Sequence, residues 1–217
     1  MYLDLHCHSV VSDDARATVE QYAKWIASLR RKGYRVDGIV LTEHRTFDRR
    51  GDYRAVEEAY DLRVFKACEL DTDAGHFLVY GAGEELLRRF DLADVRIDAV
   101  ELVRFCESNG AIAIPAHPGR ENVSFIDLAG ERDFSLVRTI EVLNGGSRDW
   151  ENERAASLAA DRGYIGTAGS DAHFVNAIAR NLTRFDQPVV SIDELVAALR
   201  AGRVSPASLE DTRAVPA

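Results

Sequence analysis

"DLHCHS", Asp4 to Ser9, closes the first apolar run of the chain and sets two of its six histidines two positions apart. Read as a strand, the run sends His6 and His8 to one face and Leu5 and Cys7 to the other, because side chains alternate along extended backbone. The remaining histidines sit in comparable places. His44 closes "DGIVLTEH", His76 opens "HFLVYG", His117 closes "AIAIPAH", and His173 ends "YIGTAGSDAH". Acidic residues share these boundaries: Asp4, Glu43, Glu69 and Asp171. Random placement would scatter histidine over loops and helices, which make up most of a chain.

Seven short apolar or β-branched segments recur along the sequence: the four containing these histidines, "YLDLH", "RVFKACEL" and "TIEVLNG". Helical patterns lie between most of them. Thr18 to Arg31 is the clearest: Thr18 and Gln21 form a capping-box pair, Val19, Tyr22, Ala23, Ile26 and Leu29 keep helical spacing, and Gly33 stops the helix. Ser191 and Glu194 repeat the device before Ile192, Leu195, Val196 and Leu199, with Gly202 as the stop. Arg54 to Tyr60, Ile97 to Ser108 and Asp149 to Arg162 complete the helical set. Strands alternating with helices predict an α/β fold on a largely parallel sheet, open or closed into a barrel, with ligands at the carboxyl ends of the strands. A single catalytic domain over residues 1–203 is expected, followed by a loosely held tail from residue 204, "VSPASLEDTRAVPA".

Bulk properties narrow the function. At 217 residues, 46% hydrophobic and 29% charged, the chain can bury a full core. No signal-peptide pattern or membrane-length apolar run is visible, so a cytoplasmic location is expected. Cys7, Cys68 and Cys106 are far apart and read as small buried apolar side chains, not as a thiolate site. A formal charge of −9 argues against stable duplex nucleic-acid binding, which draws on clustered cations. Lysine occurs only at Lys24, Lys32 and Lys66, so nearly all of the 27 basic residues are arginine and any one of them is a weak clue.

Imidazole and carboxylate together suit divalent manganese, iron or zinc. In order along the chain, "DLHCHSVVSDD", "LTEHRT", "ACELDTDAGHFLVYG", "IPAHPGR", "IEVLNGG" and "GSDAH" resemble the motifs of the PHP (polymerase and histidinol phosphatase) family. That resemblance implies a distorted (β/α)7 barrel and a phosphoesterase centre of two to three divalent ions. It further implies that His6, His8, Glu69 and Asp171 hold one ion, that Asp13, His44 and His173 hold a second, and that His76 and His117 hold a third, with Glu69 bridging. Asp13 is preferred to Asp14 because it follows His8 at the family's five-residue interval. "TEH" stands where many relatives carry an aspartate before the histidine, and Glu43 is expected behind the ligands. The forty-odd residues from His76 to His117 leave no room for the domain some relatives insert there.

Such a centre lowers the pKa of bound water and clamps an in-line displacement at phosphorus. The expected reaction is hydrolysis of a small phosphorylated substrate. Arg120 is the first candidate to meet phosphoryl charge, with Arg45 and Arg180 behind it. Asp171 or His173 could protonate the leaving group. Glu141 and Asn144 could line the pocket, and hydrogen bonding within a turn is an equally good reading for them. The alternatives are a phosphodiesterase acting on short oligonucleotides, a metal-binding regulatory module without turnover, and hydrolysis of amides or lactones.

Overall fold

The computed structural model describes residues 1–121 and 125–213. In chain order the elements are β1 (Tyr2–Cys7), α1 (Val19–Arg31), β2 (Gly38–His44), α2 (Arg54–Tyr60), β3 (Arg63–Thr72), β4 (Gly75–Tyr80), α3 (Gly83–Arg89), α4 (Ala99–Ser108), and β5 (Ile112–Pro115). They continue with α5 (Phe125–Leu128), β6 (Thr139–Asn144), α6 (Asp149–Arg162), β7 (Ile165–Gly169), β8 (Asn181–Phe185), α7 (Ile192–Arg200) and β9 (Val204–Ser208). The seven expected strands are all present. α1 carries the complete Thr18/Gln21 capping box, whereas Ser191 caps α7 while Glu194 accepts from Val190 N–H at 2.8 Å instead of closing the box.

A seven-stranded sheet runs β5-β4-β3-β2-β1-β8-β9, and β6 pairs with β7. The expectation of a largely parallel sheet is corrected here. β1–β2, β2–β3 and β6–β7 are parallel, but β3–β4, β4–β5, β1–β8 and β8–β9 are antiparallel. The cause is local: only Asp73 and Ala74 separate β3 from β4, too few for a crossover helix, so β4 must fold back as a hairpin. The barrel closes through the β6–β7 pair. At one side Asp171 N–H donates to His6 O at 2.7 Å and His8 N–H to Ala172 O at 2.9 Å. At the other, His117 N–H donates to a Glu141 carboxylate oxygen at 2.7 Å. The architecture is a mixed α/β distorted barrel.

Inside the barrel Leu3, Leu5, Val40, Ala67, Leu78, Tyr80 and Ile114 form one buried cluster with Leu195, Val196 and Leu199 of α7. α7 closes the end where the strands begin, since Arg200 donates to Ala111 O at 2.6 Å just before β5. Outside, α1 packs Tyr22, Ile26 and Leu29 on Cys7, Ile39 and Leu41. β1 therefore breaks the simple alternation read from its sequence, because Leu5 faces the interior along with the histidines while Cys7 faces out. A register shift between Asp4 and Cys7 against β2 marks a β-bulge, which inserts one residue and turns Leu5 and His6 inward together.

The tail expectation is corrected as well. Val204–Ser208 pairs along its whole length with β8, and Leu209 N–H donates to Arg180 O at 2.9 Å. Residues 214–217 of the expected tail lie outside the described residues. Cys7, Cys68 and Cys106 are free and buried, as their sequence context predicts.

Candidate metal centre

The parallel strands bring their carboxyl ends to one end of the barrel, and the reversed β4 brings its beginning there, which is why His76 opens its strand while the other histidines close theirs. Glu69 stands at the middle. One carboxylate oxygen, Oε1, lies 3.0 Å from His76 Nδ1 and 3.0 Å from His117 Nε2. The other, Oε2, lies 3.2 Å from His6 Nε2, 3.3 Å from His8 Nε2 and 3.2 Å from His44 Nδ1. Among the described residues three groups of potential ligand atoms result, those within each group lying within 4.8 Å of one another: His6, His8, Glu69 and Asp171; His8, His44 and His173; and Glu69, His76 and His117.

Several features make these groups fit cations better than one another. His44 Nε2 and His173 Nε2 face each other at 3.3 Å, and Asp14 Oδ2 approaches them at 3.4 and 3.2 Å. The Nδ1 of His173 lies 2.9 Å from the Asp171 carbonyl, which assigns its proton to Nδ1 and leaves a lone pair on Nε2. Both ring nitrogens of buried His8 and Nδ1 of His117 have no hydrogen-bond partner among the described residues. Orphaned nitrogens beside buried carboxylates are the donor set a divalent ion satisfies. Burial holds His8 down at about 4, so it stays neutral with a lone pair to offer. Burial would raise the Asp171 and Glu69 carboxyls, but the His6 charge and the other imidazoles packed against them hold both well below the usual carboxylate range.

The surroundings fix these side chains. Glu141 accepts from His6 Nδ1 at 3.0 Å, from His117 N–H and from Asn144 Nδ2 at 2.9 Å. Glu43 accepts from Ser9 Oγ and Ser12 Oγ, each at 2.5 Å, and Ser12 Oγ in turn accepts from His44 N–H. The Tyr22 hydroxyl donates to His8 O at 2.7 Å. Arg45, His117 and Asp171 have φ of 51°, 30° and 53°, conformations costly outside glycine and concentrated at this one place.

A cavity of about 330 Å³ opens over the cluster, lined by Asp14, His44, Arg45, Asp71, His76, His117, Arg120, Asp171 and His173. Sequence expectations meet it unevenly. Asp14, not Asp13, approaches the histidines: the Asp13 carboxylate is 79% exposed and its nearest charged partner is Arg45, at 3.7 Å. Arg45 and Arg120 line the cavity, but Arg180 is exposed and does not. Glu141 and Asn144, each 1% exposed, lie behind the histidines and outside the cavity lining. Asp71, which sequence reading passed over, lies 3.2 Å from His76 Nε2 and 3.0 Å from Arg45 Nη1. Its place two residues after Glu69 on β3 was the available signal.

The class this defines is a distorted α/β barrel with an imidazole- and carboxylate-lined pocket at one end. Residues 149–204 match the family described as PHP-associated. Among solved structures the chain resembles PsfC from Pseudomonas syringae PB-5123, with a TM-score of 0.71 and 18% identity over 95% of this chain and 91% of that one. It also resembles a protein designated a metal-dependent phosphoesterase from Bifidobacterium adolescentis, with a TM-score of 0.54 and 18% identity over 79% of this chain and 87% of the other. A third likeness is to Endonuclease Q bound to a 27-mer duplex with an abasic lesion, with a TM-score of 0.60 and 18% identity over 94% of this chain but 57% of that one. No curated protein matches the chain in sequence. The family match is confined to residues 149–204, and the likeness to the solved structures is one of fold. Among the described residues no helix is long and apolar enough to cross a membrane.

Proposed function

We propose that this protein is a metal-dependent phosphoesterase acting on a small phosphorylated substrate, with its ions held by His6, His8, Asp14, His44, Glu69, His76, His117, Asp171 and His173. The observation that carries the reading is the Glu69 carboxylate, buried and ringed by five imidazoles from four separate segments. Bound manganese, iron or zinc would supply deprotonated water at neutral pH and positive charge for the phosphoryl oxygens. The chain's own part is orientation. Glu141 fixes the His6 ring, Ser12 fixes the turn at His44, and Arg45 and Arg120 give the cavity a cationic wall for a phosphate.

The acidic rim supports a small substrate over a long polyanion. Asp13, 79% exposed, and Asp14, 52% exposed, stand at the mouth, where they would repel the flanking phosphates of a nucleic acid. The likeness to Endonuclease Q favours a second reading, a phosphodiesterase on short oligonucleotides. Protein reconstituted with Mn2+ should hydrolyse a chromogenic phosphate monoester, and His8→Ala, Glu69→Ala and Asp171→Ala should abolish that. Turnover of a labelled oligonucleotide but not of a nucleoside bisphosphate would favour the second reading. Full metal uptake without hydrolysis across a broad ester panel would reject both and leave a metal-binding regulatory module.

A further inference from the structure

Arg120 was expected to face substrate, yet most of its donors are engaged elsewhere. Its Nη2 donates to Asp171 Oδ2 at 2.5 Å and to Asn144 Oδ1 at 2.9 Å, and its Nε donates to Ser147 Oγ at 3.0 Å. Only Nη1 has no hydrogen-bond partner among the described residues. The other Asp171 oxygen, Oδ1, lies 3.5 Å from His6 Nε2 and 3.3 Å from His8 Nε2. The two oxygens of Asp171 thus have separate duties, one turned to the ligand cluster and one to the guanidinium.

Asn144 sets the arginine. Its Oδ1 also accepts from Gly146 N–H at 2.9 Å, and its Nδ2 donates to Glu141, the residue that fixes His6. The loop above leaves space for this pair: a Cβ on Gly146 would come within 2.7 Å of Arg120 Nη2 and 2.9 Å of Asp171 Oδ2. A chain of hydrogen bonds therefore runs from His6 through Glu141, Asn144 and Arg120 to Asp171, tying together two members of the same ligand group from behind.

We infer that Arg120 is a positioning residue: held by Asn144 and Ser147, it occupies Asp171 Oδ2 and commits Asp171 to the metal group of His6, His8 and Glu69 through Oδ1 alone. A neutral residue at 120 would free Oδ2 and leave the Asp171 side chain without its orienting partner. The inference rests on the metal-centre reading and not on the identity of the substrate.

The test is a calorimetric titration of the metal-stripped full chain with Mn2+, for the parent, Arg120→Met, Arg120→Lys and Asn144→Ala. Arg120→Met should weaken one Mn2+ site about 10–100-fold, the range found when an outer partner of a metal ligand is removed. Arg120→Lys should restore part of that, since an ammonium can reach Oδ2 but cannot also hold Asn144 and Ser147 in a planar fork. Asn144→Ala should weaken the same site by a smaller factor. Circular dichroism identifies any variant that has lost its fold, and the lysine variant, which keeps the charge, supplies the comparison in that case. With a phosphate ester, kcat should fall by a larger factor than KM rises. Mn2+ isotherms identical to the parent's in the methionine and alanine variants, with KM raised, would overturn the inference and make Arg120 a substrate contact only. A parent that binds Mn2+ but hydrolyses no ester would sink the proposed function, and the isotherms would still decide this point.

Discussion

Asp14 and Asp13 are adjacent, chemically identical and both acidic enough to ligate, so only their placement separates them. The turn after His8 points Asp14 between His44 and His173 and sends Asp13 outward to Arg45. Asp14→Asn should therefore remove one Mn2+ equivalent or weaken it at least about tenfold, and Asp13→Asn should leave the isotherm unchanged. Glu141 makes a similar distinction between two roles. It accepts from His6, His117 N–H and Asn144 while 1% exposed, so Glu141→Gln would turn an amide N–H2 toward groups that are themselves donors. Leaving such buried groups unmatched costs about 1–3 kcal/mol. The expected result is a lower melting temperature together with weaker Mn2+ binding, whereas a substrate-binding role would raise KM alone. The histidines themselves were legible because every one sits at a strand boundary. Asp14 and the duties of Glu141 were not, because a carboxylate in a loop or at a strand end carries no spacing that tells ligand from neighbour.

At the scale of elements, the seven segments with β-branched and apolar runs could be read directly, and so could α1 and α7 from their caps. β8 and β9 could not. "NLTRF" carries an arginine and an asparagine, and "VSPAS" holds a proline that is tolerable because β9 is an edge strand pairing on one side only. The bulge in β1 was equally hidden, since the extra residue leaves the composition of "YLDLHC" unchanged. It has a structural companion in Gly169, where an added Cβ would lie 2.3 Å from His6 Cβ and 2.8 Å from His6 N. Gly169→Ala must push β7 away from β1 at the ligand itself. A loss of about 1–3 kcal/mol is expected from the overpacking, measured by urea denaturation, with Mn2+ affinity falling in parallel. The turn after β2 is held differently. Burial would raise the Asp48 carboxyl, but the Tyr53 hydroxyl at 2.6 Å and the Gly51 N–H at 2.8 Å bring it below its usual 3.8. A depressed folded-state value means a stabilising contribution present above the unfolded value and lost as pH falls through the folded one. The stability gap between the parent and Asp48→Asn should accordingly be constant above about pH 5 and shrink below 3.8. A gap independent of pH would show that Asp48 acts as a neutral acceptor.

For the whole molecule, the proposed ligands come from β1, the turn after it, β2, β3, β4, the end of β5 and the end of β7, so an ion shared among them would be a cross-link between nearly all the strands that build the barrel. Without cations, the buried Glu69 carboxylate is balanced only by imidazoles, Asp171 by imidazoles and Arg120, and both ring nitrogens of buried His8 lack a hydrogen-bond partner among the described residues. Unfolding would disperse these groups and discard their common affinity. Binding to the folded state alone stabilises it by about 2.7 kcal/mol at a free-metal concentration a hundred times the dissociation constant. For a chain of this length each kcal/mol moves the melting temperature by about 2–4 °C, so saturating Mn2+ should raise it by roughly 5–11 °C over chelator-treated protein. Glu69→Gln, whose carboxamide keeps the shape but loses the charge shared by two ligand groups, should lose most of that rise. Exposed acidic side chains such as Asp13 cannot imitate the effect, because they bind cations as readily in the unfolded chain as in the folded one. A melting temperature indifferent to Mn2+ and chelator would mean that the imidazole ring around Glu69 is a structural hydrogen-bond network, and the proposed chemistry would fall with it.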